Sequence, residues 1–245
     1  MLVAWAIFPG VGVDMTLLGP AACEYDGWCM SVGLENALRR LRRILPLSAR
    51  QGECSEQVRE LHRQILRSFP TKGRILTREE MAQYVSDLDA AVDVLRKNDM
   101  VTFSGDGTPV GAYPFTMEAR DYQVQVNGHR VHAMCALDSL AVSPMFGMTT
   151  HITSHCRVTG TPVDIDQSGK TIDNADTAGA VHVGIAWGAA DAESHCADSL
   201  CMEMPFLRDG AAARQWLVED PGGREIFALP EAIEFASRFF VPLVG

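Results

Sequence analysis

Two residues three positions apart set the chemistry of this chain: Cys135 and Asp138, inside Met134-Cys135-Ala136-Leu137-Asp138-Ser139-Leu140. In a helix, positions i and i+3 share a face, so this spacing points a thiol and a carboxylate into the same space. The surrounding residues are Met, Ala and Leu. Desolvating a carboxylate among them is costly, and its pKa rises as a result. A carboxyl of raised pKa can accept a proton from a neighbouring thiol and pass it on. Thiolate sulfur is also a ligand for soft metals, so the pair is equipped to move a proton beside a soft-metal site. Downstream, Cys201 in Ser199-Leu200-Cys201-Met202 offers a second sulfur. Two thiolates on a divalent soft metal make a neutral complex that an apolar pocket tolerates.

The elements that must position these residues follow from the pattern. Tyr122, Val124 and Val126 alternate, Asn127-Gly128 is a type I′ hairpin signal, and Val131 opens the returning strand. A short helix from Cys135 through Leu140, ending before Pro144, then carries the thiol and the acid. Strands are expected at 150–156, 162–165 and 181–187, with amphipathic helices at 211–218 and 230–240. Upstream, Val58, Leu61, Ile65, Leu66 and Phe69 form a helical stripe closed by Pro70 and Gly73. Thr77-Arg78-Glu79-Glu80 is a capping box, and Ser86-Asp87 starts a third helix. A hairpin follows over 101–103 and 110–115. The predicted fold class is α+β, with a helical winged-helix-like domain packed on a mixed α/β catalytic core. The expected units are 1–55 (an N-terminal extension with an amphipathic helix), 56–117 (winged helix-turn-helix-like) and 118–245 (the catalytic core).

Composition narrows the function classes. The 245 residues are 47% hydrophobic and 21% charged, enough for a real core. A formal net charge of −10 argues against nucleic-acid binding. So does the third helix of the 56–117 unit, where Asp87, Asp89 and Asp93 would face phosphate. Seven cysteines without a short even framework read as reduced thiols in the cytoplasm. The apolar stretch over 1–22 is broken by Pro9, Gly10, Gly12 and Asp14 and has no basic residue before it, so neither a targeting peptide nor a membrane span is expected. Arg39, Arg40, Arg42 and Arg43 read as a solvated helix face offset by Glu35, Glu53 and Glu56.

The order Cys-Ala-Leu-Asp-Ser-Leu, then Ser154-His155-Cys156, Thr159-Gly160-Thr161-Pro162-Val163 and a late Cys201 before Trp216 resembles the alkylmercury (organomercurial) lyase family. The likeness spans roughly residues 57 to 240 and is dense from about 122 to 216. It implies cleavage of carbon–mercury bonds by protonolysis, with Cys135, Asp138 and Cys201 on the family's catalytic Cys, Asp and Cys positions and as the mercury ligands. It further implies that no organic cofactor is needed, and that excess thiol releases the Hg²⁺ product. The implied partners are organomercurial substrates and, as Hg²⁺ acceptors, mercuric reductase or small cellular thiols. Cys156 matches a family cysteine of structural role. Met134 departs from the family, which commonly carries an aromatic residue there, and the N-terminal extension has no family counterpart.

Other chemistries are weaker. A soft-metal protein that holds or senses mercury or copper without breaking a bond is the alternative, but it has no use for a buried acid three residues from its thiol. His155-Cys156 with His195-Cys196 and Cys201 could supply zinc ligands, yet the C-x2-C knuckles of structural zinc are absent. No Gly-x-Ser-x-Gly elbow, P-loop or Gly-x-Gly-x-x-Gly fingerprint occurs. Cys196 reads as a surface or partly buried thiol, with product transfer as its functional alternative. Cys23, Cys29 and Cys54 carry no supported role.

Overall fold

A computed structural model describes residues 28–245, with side chains from residue 33 onward. The expectations for the apolar N-terminal stretch, and for Cys23 and the Cys29 thiol, lie outside the described residues. Five helices come first: α1 (Trp28–Ile44), α2 (Leu47–Glu53), α3 (Glu56–Lys72), α4 (Arg78–Met81) and α5 (Leu88–Lys97). Then come β1 (Thr102–Phe103), β2 (Pro109–Ala112), β3 (Phe115–Thr116), β4 (Tyr122–Val126) and β5 (His129–Ala133). Next are α6 (Ala136–Phe146), β6 (Thr149–His155), β7 (Pro162–Ser168), β8 (Thr171–Ile172) and α7 (Ala175–Ala178). The chain ends with β9 (His182–Ala186), β10 (Phe206–Leu207), α8 (Gly210–Val218), β11 (Arg224–Ala228) and α9 (Leu229–Phe240). No described helix is long and apolar enough to cross a membrane.

The strands form two antiparallel sheets. The larger has eight strands in the order β1-β2-β3-β5-β4-β6-β7-β8, and the smaller runs β10-β9-β11. The turn expected at Asn127-Gly128 closes the β4–β5 hairpin, with Val126 opposite His129 and both turn residues at positive φ. The upstream hairpin differs from the sequence expectation. Its second strand breaks after Ala112, and β3 turns back to pair with both β2 and β5. The hairpin is therefore continuous with the large sheet.

The helix starts are made by the residues that signal them. Thr77 and Glu80 exchange capping bonds across the start of α4, and Asp87 accepts from Ala90 N at the start of α5. Pro70 does not end its helix; α3 runs on to Lys72 and stops at Gly73, whose φ of 68° suits a residue without Cβ. Helix α1 is not peripheral, because Leu38 and Leu41 are buried in the main core and α1 packs on α9. Two of the acids expected to offset its arginines make their ion pairs outside α1, though Glu35 stays within the field of Arg39 and Arg42. Glu35 pairs with Arg238 at 2.6 Å, Glu56 pairs with Arg59 and Arg63, and Arg40 lies over the Trp187 ring.

Helix α6 is the central element. Every residue from Ala136 to Ser143 is buried, so its apolar surface has no preferred side. It packs against α9 and lies under strands β4 to β7. Contrary to the sequence expectation, it passes through Pro144 and ends at Phe146 with Gly147 as its left-handed cap. Proline there frees the carbonyl four residues back. That carbonyl, of Leu140, accepts instead from Gln167 Nε2 at 3.0 Å, and Gln167 is fully buried on β7. The rescue by Gln167 lets the helix run two turns past the acid.

Candidate active site

Cys135 sits between β5 and α6 as the N-cap of α6, with extended backbone and its Sγ accepting from Asp138 N at 3.4 Å. The thiol and the acid meet through this cap, not across one helical face as the i, i+3 spacing suggested. The Cys135 thiol donates to Asp138 Oδ2 at 2.7 Å. The second thiol arrives from a distant segment. Cys201 lies in a single turn, Leu200–Glu203, and the carbonyl of Met204 just beyond accepts from Ala136 N at 3.1 Å. That bond ties the turn to the first residue of α6. Cys135 Sγ, a carboxylate oxygen of Asp138 and Cys201 Sγ then all lie within 4.8 Å of one another. The three residues are 1%, 1% and 3% exposed.

Burial controls the proton affinities. Desolvation pushes the Asp138 carboxyl up to about 7, against the hydrogen bonds from Cys135 and Cys201. Burial also pushes the Cys135 thiol up to about 12, opposed by a bond from Cys201 and reinforced by the nearby Asp138 charge. A helix N-terminus ordinarily lowers a thiol pKa, but desolvation wins here. Cys201 is raised as well, first by its bonds with Cys135 and Cys196 and then by burial. With no metal bound, the Cys135 thiol holds its proton more tightly than Asp138 does, so transfer to the acid is uphill. A soft metal arriving at the sulfur supplies the missing driving force. Asp138 Oδ1 is buried without a hydrogen-bond partner. Such orphaned buried oxygens are uncommon in folded proteins.

Sequence reasoning missed two neighbours. Met204 Sδ lies 3.6 Å from Cys135 Sγ, adding a third soft atom to the pocket. Tyr113 is buried beside Cys201, and burial first, then the neighbouring sulfur, raises the phenol. Neither has a local signal, since both reach the site through long-range packing. The zinc alternative does not assemble. Among the described residues, Cys135, Asp138 and Cys201 form the one close group of three or more potential ligands. His155 is paired with Asp121, His195 with Asp99, and Cys156 Sγ accepts from Arg208 N.

The family model for alkylmercury lyase matches residues 115–241, more than half of the chain, including Cys135, Asp138 and Cys201. The chain belongs to the alkylmercury lyase family. Relatives of that family include the alkylmercury lyase of Bacillus cereus, 27% identical over 191 residues, which cover 78% of this chain and 85% of the relative. The alkylmercury lyase of Pseudomonas putida is 24% identical over 176 residues, covering 71% of this chain and 81% of the relative. Among solved structures, the mercury-bound form of MerB2 superposes with a TM-score of 0.67 over 84% of this chain and 100% of that one, at 20% identity. The α+β architecture is thus shared with that structure.

Proposed function

We propose that this member of the family cleaves carbon–mercury bonds by protonolysis, R–Hg⁺ giving RH and Hg²⁺, with Cys135, Asp138 and Cys201 as the reacting groups. The observation that carries the reading is the buried carboxyl of pKa about 7 bonded to one thiol and within 4.8 Å of another. As mercury bonds to Cys135 Sγ, the thiol proton passes along the 2.7 Å bond to Asp138. Cys201 then binds the same metal and pushes electron density onto the carbon. Asp138 delivers its proton to that carbon, the C–Hg bond breaks, and the hydrocarbon leaves. Both thiols lose a proton; one ends on carbon, and the other is released to solvent, balancing the charge of the incoming cation. Positioning and a general acid–base of matched pKa are the protein's contribution.

Mercury is substrate and product in this scheme, and no organic cofactor takes part. Hg²⁺ stays on Cys135 and Cys201 until excess thiol or a mercuric reductase removes it, in a cytoplasmic setting that keeps the thiols reduced. Helices α3 to α5 with the β1–β2 hairpin serve as a winged-helix-like cap on the core. The exposed Asp87, Asp89 and Asp93 of that cap argue against nucleic acid as a partner. A mercury or copper trap without lyase activity is the second reading, and the buried acid counts against it. The test is incubation of the full chain with a phenylmercury compound and excess thiol, assaying benzene. Catalytic benzene release supports the lyase; tight mercury binding without benzene supports the trap.

A further inference from the structure

The proposed chemistry leaves one buried thiol beside the site unused. Cys196 is 5% exposed, and its Sγ lies 3.8 Å from Cys201 Sγ, its one polar partner among the described residues. It stands outside the close group of Cys135, Asp138 and Cys201, so Cys201 is the middle of a three-sulfur series. Cys196 also lines a surface pocket of about 260 Å³, together with Arg50, Lys97, Asp191, Glu193 and His195. A buried cysteine is most often plain core. This one differs because it touches a site thiol and also forms part of a pocket wall.

The backbone around it is pinned. Asp99, held at a φ of 49°, accepts from Cys196 N at 3.2 Å and lies 2.6 Å from His195 Nδ1. Ala197 N donates to the Tyr113 hydroxyl at 2.9 Å, and that hydroxyl donates to Asp99. Asp99 and Tyr113, bonded to each other, together pin the turn that carries Cys196 between pocket and site.

We propose that Cys196 is the exit ligand for Hg²⁺, taking the metal from the Cys135–Cys201 pair and presenting it to a small thiol in the adjoining pocket. The lyase reading supplies the metal's origin. In the first exchange, an Hg–S bond forms to Cys196 as the bond to Cys135 breaks, and the proton Cys196 loses is taken up by Cys135. Hg²⁺ then bridges Cys201 and Cys196, and Cys135 is free for the next substrate. In the second exchange, acceptor thiols replace Cys196 and Cys201, each giving its proton to the sulfur it displaces. No electron is transferred in either exchange. The pocket offers Arg50 and Lys97 for a carboxylate and Asp191 and Glu193 for an ammonium group. Its size suits an amino-acid-sized zwitterionic thiol.

The test uses Hg²⁺ alone and so does not depend on bond cleavage. Full-length protein and Cys196→Ala are each loaded with one equivalent of radiolabelled Hg²⁺. Free cysteine is added, and metal retained on the protein is followed by rapid desalting. Slowing of transfer by at least tenfold in the variant is expected; transfer at the wild-type rate would overturn the proposal. Cys196→Ser, which keeps the volume, serves if the alanine variant does not fold. On wild-type protein, free cysteine should strip the metal faster than 2-mercaptoethanol at equal thiolate concentration, and equal rates would overturn the zwitterion pocket. Failure of the lyase reading shows separately, as no benzene from wild-type protein and phenylmercury.

Discussion

Replacing Asp138 by Asn removes a carboxyl that burial pushes up to about 7. In the unfolded chain the same group titrates near 3.9. The folded state therefore binds its proton more tightly. The stability this contributes is complete below about pH 4 and is lost as pH rises through about 7. The folded and unfolded values lie roughly three apart, which makes the full cost about 4 kcal/mol. About 2.5 kcal/mol of it falls between pH 5 and pH 8. Asparagine carries no charge at any of these pH values, so its stability is flat with respect to this group. An amide without a full set of partners costs about 1–3 kcal/mol, independent of pH. The variant should then gain about 2.5 kcal/mol on the wild type between pH 5 and pH 8. Urea denaturation followed by circular dichroism at several pH values measures the gap. A gap that stays constant across that range would refute a neutral, buried Asp138. The same substitution should cost about 10²–10⁴-fold in hydrocarbon release, the usual scale of a general acid–base group. Stability and activity would then move in opposite directions at pH 8.

Cys135→Ser should abolish benzene release from phenylmercury, because an alcohol binds mercury poorly; substantial turnover would remove Cys135 from the mechanism. Cys201→Ser should both slow turnover and hold Hg²⁺ less tightly, as read by competition with a chelating dithiol. The rate of cleavage in the wild type should rise with pH through about 7, as Asp138 becomes free to accept the thiol proton, and a stopped-flow pH profile checks it. Gln167→Ala should destabilise the fold by about 1–3 kcal/mol, because the Leu140 carbonyl freed by Pro144 loses its buried partner; a denaturant midpoint equal to the wild type would contradict this.

Much of the site was legible because its first half is local. Cys135 and Asp138 lie three residues apart in an apolar run, and composition alone predicts a raised carboxyl pKa. The route to their meeting was not legible. A cysteine as N-cap is uncommon, so periodicity placed it inside the helix, one position from where it sits. The continuation of α6 past Pro144 was hidden too, since the compensating donor, Gln167, is on another strand. Strand pairing at Asn127-Gly128 and the caps at Thr77 and Asp87 were readable from turn and cap chemistry. The split of the upstream hairpin's second strand into β2 and β3 was not, because it depends on pairing with β5. Cys201 carried no local signal, and its place came from resemblance to the family. Tyr113 and Met204 reach the site through tertiary contacts that no spacing rule encodes, whereas Cys196 reaches Cys201 locally, five residues away, but is buried rather than at the surface.

The most direct measurement is mass spectrometry of the intact protein after one turnover with a phenylmercury compound. Wild-type protein should carry bare mercury, with benzene released. Asp138→Asn should instead carry phenylmercury, its two thiols intact and the carbon–mercury bond unbroken. Bare mercury on the Asn variant at the wild-type rate would show that the proton comes from another group, and would leave Asp138 as a residue of the helix start alone.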